Sequence, residues 1–127
     1  MSTKTVLLIE PESDACHRVE KALVDAGYTV VALDDAERAP EALEHARPDV
    51  VIAAYPLGRR AVDDVPALVR ASSRPAVPVV AMFPFPQRAI AVKALADGYA
   101  DVIPKPVDRL LLEDMLRHVI EPPRLTT

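Results

Sequence analysis

Short apolar runs alternate with longer amphipathic stretches along this chain. Runs that are almost unbroken are typical of strands covered on both faces, and they predict a parallel sheet between two layers of helices. The strand candidates are residues 6–9, 28–33, 50–54, 79–82 and 100–103. Their alternation with helical stretches predicts about five βα units in a doubly wound α/β fold.

The stretches between the runs carry apolar residues at helical spacing. In the first helix Ala15, Val19 and Leu23 share one side with Cys16, which we expect to be a small residue of the core. The last helix is predicted over 108–120, with Leu112, Met115, Leu116 and Val119 facing the core. The fourth is predicted over 87–97, with Ala91, Val92 and Leu95 facing the core.

Glycine and proline punctuate these helices. Gly27 and Gly98 are predicted to end the first and fourth helices. Pro66 and Pro86 suit the first turns of the third and fourth helices, where a missing N–H costs little. Pro40 is predicted either to delay or to bend the second helix, which the apolar pattern places over 36–46.

Composition narrows the class of protein. The 127 residues, half of them apolar, suit a single domain over 1–127, with a core over about 4–120 and a tail at 121–127. The net charge of -4 argues against binding to nucleic acid or to an anionic membrane. Cys16 is the single cysteine, so an intrachain disulfide is excluded and a cytoplasmic location is expected. No apolar run approaches the roughly 18 residues of a membrane span.

Four segments at the strand ends share a recognisable pattern. Residues 6–10 read VLLIE, 47–54 read RPDVVIAA, 78–83 read PVVAMF and 98–106 read GYADVIPKP. Together they resemble the receiver domains of two-component response regulators over nearly the whole chain. The resemblance implies a flavodoxin-like fold with five helices and strand order 2-1-3-4-5. It also implies a pocket at the carboxyl ends of the strands.

In that family an aspartate in this pocket accepts a phosphoryl group, with the help of Mg²⁺ and a lysine. Here Ala54 stands at the acceptor position, Pro11 replaces one of the two acidic metal ligands, and Phe83 replaces the switch serine or threonine. Only Glu10 and Lys105 match the family. We therefore expect no catalytic residue, no metal, no cofactor and no enzymatic activity.

The two matching residues allow a choice of interpretations. Lys105 is either a residual anion site or the partner of Glu10, and we expect the pair. The resemblance implies a cis bond between Lys105 and Pro106. Glu12 and Asp14 suggest a metal site with Glu10, but acidic residues also suit the start of a helix, and we expect the second role. His17, His45 and His118 lack the spacing of metal ligands.

The resemblance also implies a docking face for dimer mates and downstream partners, formed by the fourth helix, the fifth strand and the fifth helix. On this face the helical spacing predicts exposed apolar residues at Ile90, Ala94 and Leu110, beside Val102 of the strand, although isolated exposed apolar residues are also normal. The loop FPFP at 83–86 suits either a docking knob or a plug over the vacant phosphate pocket, and we expect Phe83 inside and Phe85 outside.

The sequence thus predicts a pseudo-receiver that is not phosphorylated at position 54 and acts through a protein partner or a homodimer in bacterial signalling. Two alternatives remain open. One is a small molecule bound in the remodelled pocket, and the other is a phosphoryl group accepted by another residue.

Overall fold

A computed structural model describes residues 3–55, 64–83 and 88–120. The strands in these ranges are β1 (Thr5–Ile9), β2 (Thr29–Leu33), β3 (Val50–Ala54), β4 (Val79–Phe83) and β5 (Asp101–Pro104). The helices are α1 (Ser13–Asp25), α2 (Ala39–Ala46), α3 (Val65–Arg70), α4 (Arg88–Ala96) and α5 (Arg109–Ile120). Each of the predicted strands forms within one residue of its expected ends.

The strands pair in parallel in the order β2-β1-β3-β4-β5. The predicted flavodoxin-like fold is therefore confirmed. All five carboxyl ends lie at one edge of the sheet. The strand order reverses between β1 and β3, and open α/β sheets usually bind ligands at such a point.

Side chains that alternate along the strands divide the core into two layers. Leu7 of β1 belongs to the apolar cluster that α2, α3 and α4 cover, whereas its neighbour Leu8 belongs to the cluster that α1 and α5 cover. The central strands β1, β3 and β4 are buried on both faces, as predicted. The edge strand β2 is only partly buried, with Ala32 exposed, because the helices cover the middle of the sheet more fully than its edges.

Glycine and proline act largely as the sequence predicts. Gly27 and Gly98 follow α1 and α4 with φ values of 97° and 106°, a conformation that costs other residues strain. The second helix begins at Ala39 rather than at residue 36, with Pro40 in its first turn. Pro40 therefore delays the helix instead of bending it, since proline is tolerated where its missing N–H has no partner to lose.

Polar caps define two other helix starts. Pro66 lies in the first turn of α3, and the backbone N–H of Ala67 donates to Asp64 Oδ1 at 3.1 Å. The N–H of Leu111 donates to Asp108 Oδ1 at 3.0 Å, so Asp108 caps α5. The predictions for Pro86 and Phe85 lie outside the described residues.

The predicted orientation of α4 is wrong. Ala94 is completely buried and Ile90 is half-buried, whereas the predicted core residues Val92 and Leu95 are exposed by 59% and 50%. Apolar residues surround almost the whole circumference of Arg88–Ala96, so periodicity does not determine which side meets the sheet. Packing places a small alanine against it.

The predicted orientation of α5 is confirmed. Leu112, Met115 and Leu116 are buried, and Leu110 is 71% exposed. Leu111, which the sequence did not single out, is also exposed. None of the helices in the described ranges has the length and apolar character that crossing a membrane requires.

Candidate functional site

The carboxyl ends of four strands bring the expected site residues to one edge of the sheet. Glu10 follows β1, Ala54 ends β3, Phe83 ends β4 and Lys105 follows β5. The N–H of Lys105 donates to the carbonyl of Phe83 at 2.8 Å, which holds these two residues side by side. The structure therefore assembles the site where the resemblance implies it.

Glu10 and Lys105 form an ion pair at the centre of this edge. The Glu10 side chain is 2% exposed, and its Oε1 accepts a hydrogen bond from Lys105 Nζ. Its Oε2 accepts from the N–H of Glu12 at 3.2 Å. The predicted pair is confirmed, and both oxygens of this buried carboxylate already have the partners that burial demands. The bond between Lys105 and Pro106 is cis, as the resemblance implies.

The acceptor position holds no group that can attack phosphorus. Ala54 ends in a methyl group and is only 5% exposed. Phe83, predicted inside, is buried, and its ring offers no hydrogen bond where a receiver has a hydroxyl. Pro11 is exposed and has no side-chain oxygen for a metal. The site at this edge of the sheet therefore contains an alanine, a phenylalanine and a carboxylate whose two oxygens already accept hydrogen bonds.

A polar cluster beside Ala54 was missed from the sequence. The hydroxyl of Tyr55 donates to Asp97 Oδ2 at 3.1 Å, and Lys93 Nζ donates to the same oxygen at 3.0 Å. The ring of Tyr55 meets that of Tyr99 edge to face, with centroids 5.3 Å apart. Lys93 and Asp97 have the spacing of a helical ion pair, which the sequence shows. Tyr55 lies 42 residues before Asp97, and no pattern in the sequence predicts their contact.

Hydrogen bonding within this cluster favours the charged forms of both ionisable groups. The bond from Lys93 is the main reason that the pKa of the Asp97 carboxyl lies below its ordinary value. The bond to Asp97 likewise raises the pKa of the Lys93 ammonium. The cluster therefore links the end of β3 to the end of α4 by a charge-assisted contact.

A surface hollow of about 410 Å³ lies beside Glu10, between α1 and the segment after β2. Pro11, Cys16, Asp34 and Arg38 are among the residues that line it. Cys16 is half-buried and packs against the core cluster under α1 and α5. Burial raises the pKa of its thiol, with further contributions from Glu20, Glu10 and Asp34, so the thiol is less reactive than an ordinary cysteine.

The three histidines are exposed and lie on three different helices, α1, α2 and α5. His45 and His118 each place Nδ1 within hydrogen-bond distance of a carbonyl oxygen one turn earlier in their helices. In the described part of the chain, no group of three or more histidine, cysteine, aspartate or glutamate side chains has the arrangement of a metal site.

Comparison with known proteins gives one family and many similar folds. The sequence pattern of the response regulator receiver domain matches residues 6–117. No curated protein matches the chain in sequence.

The fold resembles several solved receiver structures. A response regulator from Desulfuromonas acetoxidans superposes with a TM-score of 0.82 at 20% identity, covering 93% of this chain and 97% of that one. The chemotaxis protein CheY4 of Vibrio cholerae gives 0.79 at 22% identity, covering 93% and 99%. The receiver domain of a sensor histidine kinase from Pseudomonas aeruginosa, with magnesium in its active-site cleft, gives 0.79 at 23% identity, covering 94% and 98%.

Proposed function

The chain belongs to the receiver-domain family of response regulators, and we propose that it is a pseudo-receiver in bacterial two-component signalling. In this proposal position 54 takes up no phosphoryl group. The protein acts instead by binding a protein partner or a second copy of itself.

The observation that carries the proposal is the buried methyl group of Ala54 at the acceptor position. Phosphoryl transfer needs an attacking oxygen, a metal held by carboxylates and a group that binds the transferred oxygens. Ala54 has no attacking oxygen. Of the carboxylates that would hold a metal only Glu10 remains, and Phe83 stands in place of the group that binds the transferred oxygens. The ion pair with Lys105 further neutralises the remaining carboxylate.

A set of exposed apolar residues supports the binding role. Val92 and Leu95 on α4 and Leu110 and Leu111 on α5 are exposed, on the two helices of the expected docking face. Ala94 was predicted on the partner surface but is buried, so it cannot contact a partner there. Ile90 and Val102 are only half-exposed. Exposed apolar residues on two helices that flank one strand favour contact with another protein. We call these four exposed residues the α4/α5 apolar set.

Intact-mass measurement after incubation with Mg²⁺ and acetyl phosphate tests the loss of phosphorylation. We expect no gain of one phosphoryl mass, because no oxygen replaces the aspartate at position 54. A stoichiometric gain would contradict the proposal and favour a receiver with another acceptor. Peptide mapping would then identify the modified residue.

The hollow beside Glu10 supports a second candidate, a small molecule bound in the remodelled pocket. Its volume of about 410 Å³ is within the range of ligand sites, and Arg38 and Asp34 supply opposite charges at its wall. A ligand that binds only the folded protein raises the melting temperature by mass action. A panel of nucleotides and metabolites that leaves the melting temperature unchanged would argue against this candidate.

A further inference from the structure

We propose that Arg74 forms a binding site for a carboxylate group at the amino end of the sheet, on the edge opposite to Ala54. The site does not depend on the function proposed above, because it shares no residue with the former acceptor site or with the α4/α5 apolar set.

The site is a hollow of about 320 Å³ where the chain enters β3 and β4. Pro48 and Asp49 form the side next to β3, and the loop of residues 73–78 forms the other side. The hollow is therefore bounded by two segments that the sheet itself holds in register, since β3 and β4 pair directly.

The guanidinium of Arg74 lacks the partners that such a group normally has. Its Nε is buried and has no hydrogen-bond partner, and no ion pair within residues 3–55, 64–83 and 88–120 includes it. A guanidinium presents five N–H donors and a full positive charge, so partial burial without an acceptor is unfavourable. A carboxylate bound at the accessible N–H groups of the half-buried Arg74 would supply acceptors and the opposite charge.

The loop holds Arg74 in place before any ligand arrives. The N–H of Arg74 donates to Ser72 Oγ at 3.1 Å, and the N–H of Val77 donates to the carbonyl of Arg74 at 3.3 Å. Ser72 Oγ itself donates to the carbonyl of Val69 at 2.6 Å, at the end of α3. Because the backbone on both sides of Arg74 is held, a ligand loses little free energy in ordering it.

The carboxylate of Asp49 lies at the same hollow but is directed elsewhere. Its Oδ2 accepts from the N–H of Thr5 at 2.8 Å, and its own N–H donates to the carbonyl of Thr5 at 2.8 Å. This reciprocal pair turns Asp49 towards β1, and no ion pair forms between it and Arg74 within 4.0 Å. Arg74 is thus left for an external anion.

The surroundings favour a carboxylate over a phosphate or sulfate. The carboxylate of Asp49 also lines the hollow, so a dianion would be repelled more strongly than a monoanion. Phosphate sites also rely on several backbone N–H groups, whereas Pro48, Pro75 and Pro78 in this wall have none to donate. A planar monoanion that accepts two parallel bonds from one arginine fits best.

Nuclear magnetic resonance of the ¹⁵N-labelled chain tests the site directly. The Nε–Hε signal of Arg74 and the amide signal of Val77 are followed while sodium acetate replaces sodium chloride at constant ionic strength. We expect saturable shifts of both signals with acetate, and none when sulfate replaces chloride. Shifts that follow ionic strength alone, or that are equal for sulfate, would overturn the proposal.

Two capped peptides distinguish a free carboxylate from one carried by a protein. The peptide acetyl-Ala-Glu-Ala-amide should produce the same shifts if the site takes an acidic side chain, and its glutamine counterpart should not. Saturation by acetate without an effect of the glutamate peptide would assign the site to small free carboxylates. Either result supports the carboxylate site, and the absence of shifts with both acetate and the glutamate peptide overturns it.

A matched pair of variants assigns the effect to one side chain. Arg74→Gln should weaken acetate binding by at least about tenfold, as expected for the loss of a charge-assisted pair. Arg117→Gln, which removes the same charge from the exposed side of α5, should leave binding unchanged. Equal binding by both variants would overturn the assignment. If Arg74→Gln does not fold, the titration of the unmodified protein still decides the proposal.

Discussion

At the scale of single residues, Ala54 is one of three departures from the family's pattern at this edge of the sheet. Pro11 lacks the oxygen of a second metal ligand, and Phe83 lacks the hydroxyl that binds the phosphoryl group. The remaining carboxylate of Glu10 has both oxygens engaged. Restoring one part of such a site leaves the others missing.

The variant Ala54→Asp is therefore expected to remain without phosphate. Intact-mass measurement with Mg²⁺ and acetyl phosphate checks this. The triple variant Ala54→Asp, Pro11→Asp, Phe83→Thr supplies the missing oxygens and should take up more phosphate than the single variant. Phosphorylation of the single variant at the rate of an ordinary receiver would contradict the interpretation of a coordinated loss.

The ion pair of Glu10 and Lys105 gives a second prediction at this scale. Lys105→Met leaves a buried carboxylate without its cation, and we expect it to lower the free energy of unfolding by about 3 kcal/mol. Adding Glu10→Gln should recover part of this loss, because the amide carries no charge. Urea unfolding at neutral pH measures both changes.

Lys93→Met is the control for this prediction, since it breaks the exposed pair with Asp97. It should change stability much less than Lys105→Met, because water solvates both groups. Equal losses from the two lysines would mean that the burial of Glu10 does not determine the cost.

At the scale of elements, the spacing of apolar residues predicts the buried side of α5 but not that of α4. In α5 charged residues separate the apolar ones, so the buried side follows from the spacing. In α4 nearly every residue is apolar, and only packing against the sheet selects Ala94 as the buried residue. The rotation of α4 decides which residues reach a partner.

A pair of alanine substitutions checks this rotation. Ala94→Leu adds atoms to a filled core and should cost about 1–3 kcal/mol of stability. Ala96→Leu makes the same change at an exposed position of the same helix and should stay within about 0.5 kcal/mol of the unmodified protein. Thermal or urea unfolding of both variants gives the comparison. The opposite ranking would contradict the burial of Ala94 against the sheet.

At the scale of the whole molecule, the sheet separates three surfaces. The former acceptor site lies at the carboxyl edge, the hollow of Arg74 lies at the amino edge, and the α4/α5 apolar set lies on the helices that flank β5. Val24 on α1 is exposed to a similar degree. Its helix shares a layer with α5 but packs against β2, at the opposite edge of the sheet from β5. Val24 therefore serves as a control for the apolar set.

We expect Val92→Asp and Leu110→Asp to weaken self-association or partner binding by about tenfold or more, because each places a charge in an apolar contact. Val24→Asp should leave the same association unchanged. Sedimentation velocity measures the assembly state, and pull-down from the source cell measures partner binding. Unchanged association in all three variants would contradict the binding role of the α4/α5 apolar set.

The sequence by itself determined the strands, most helix limits and the chemistry that position 54 lacks. Continuous apolar runs report burial on both faces, proline and glycine constrain the backbone locally, and an alanine has no oxygen in any fold. The choice of Glu10 as the partner of Lys105 was also predictable, because the resemblance places both residues in one pocket at the carboxyl ends of the strands.

Only the tertiary structure decided the rotation of α4, the bond between Tyr55 and Asp97, and the unpaired state of Arg74. Each depends on how elements distant in sequence approach one another. Periodicity along one element carries no information about that approach when the element is apolar on all sides, or when the partner lies tens of residues away.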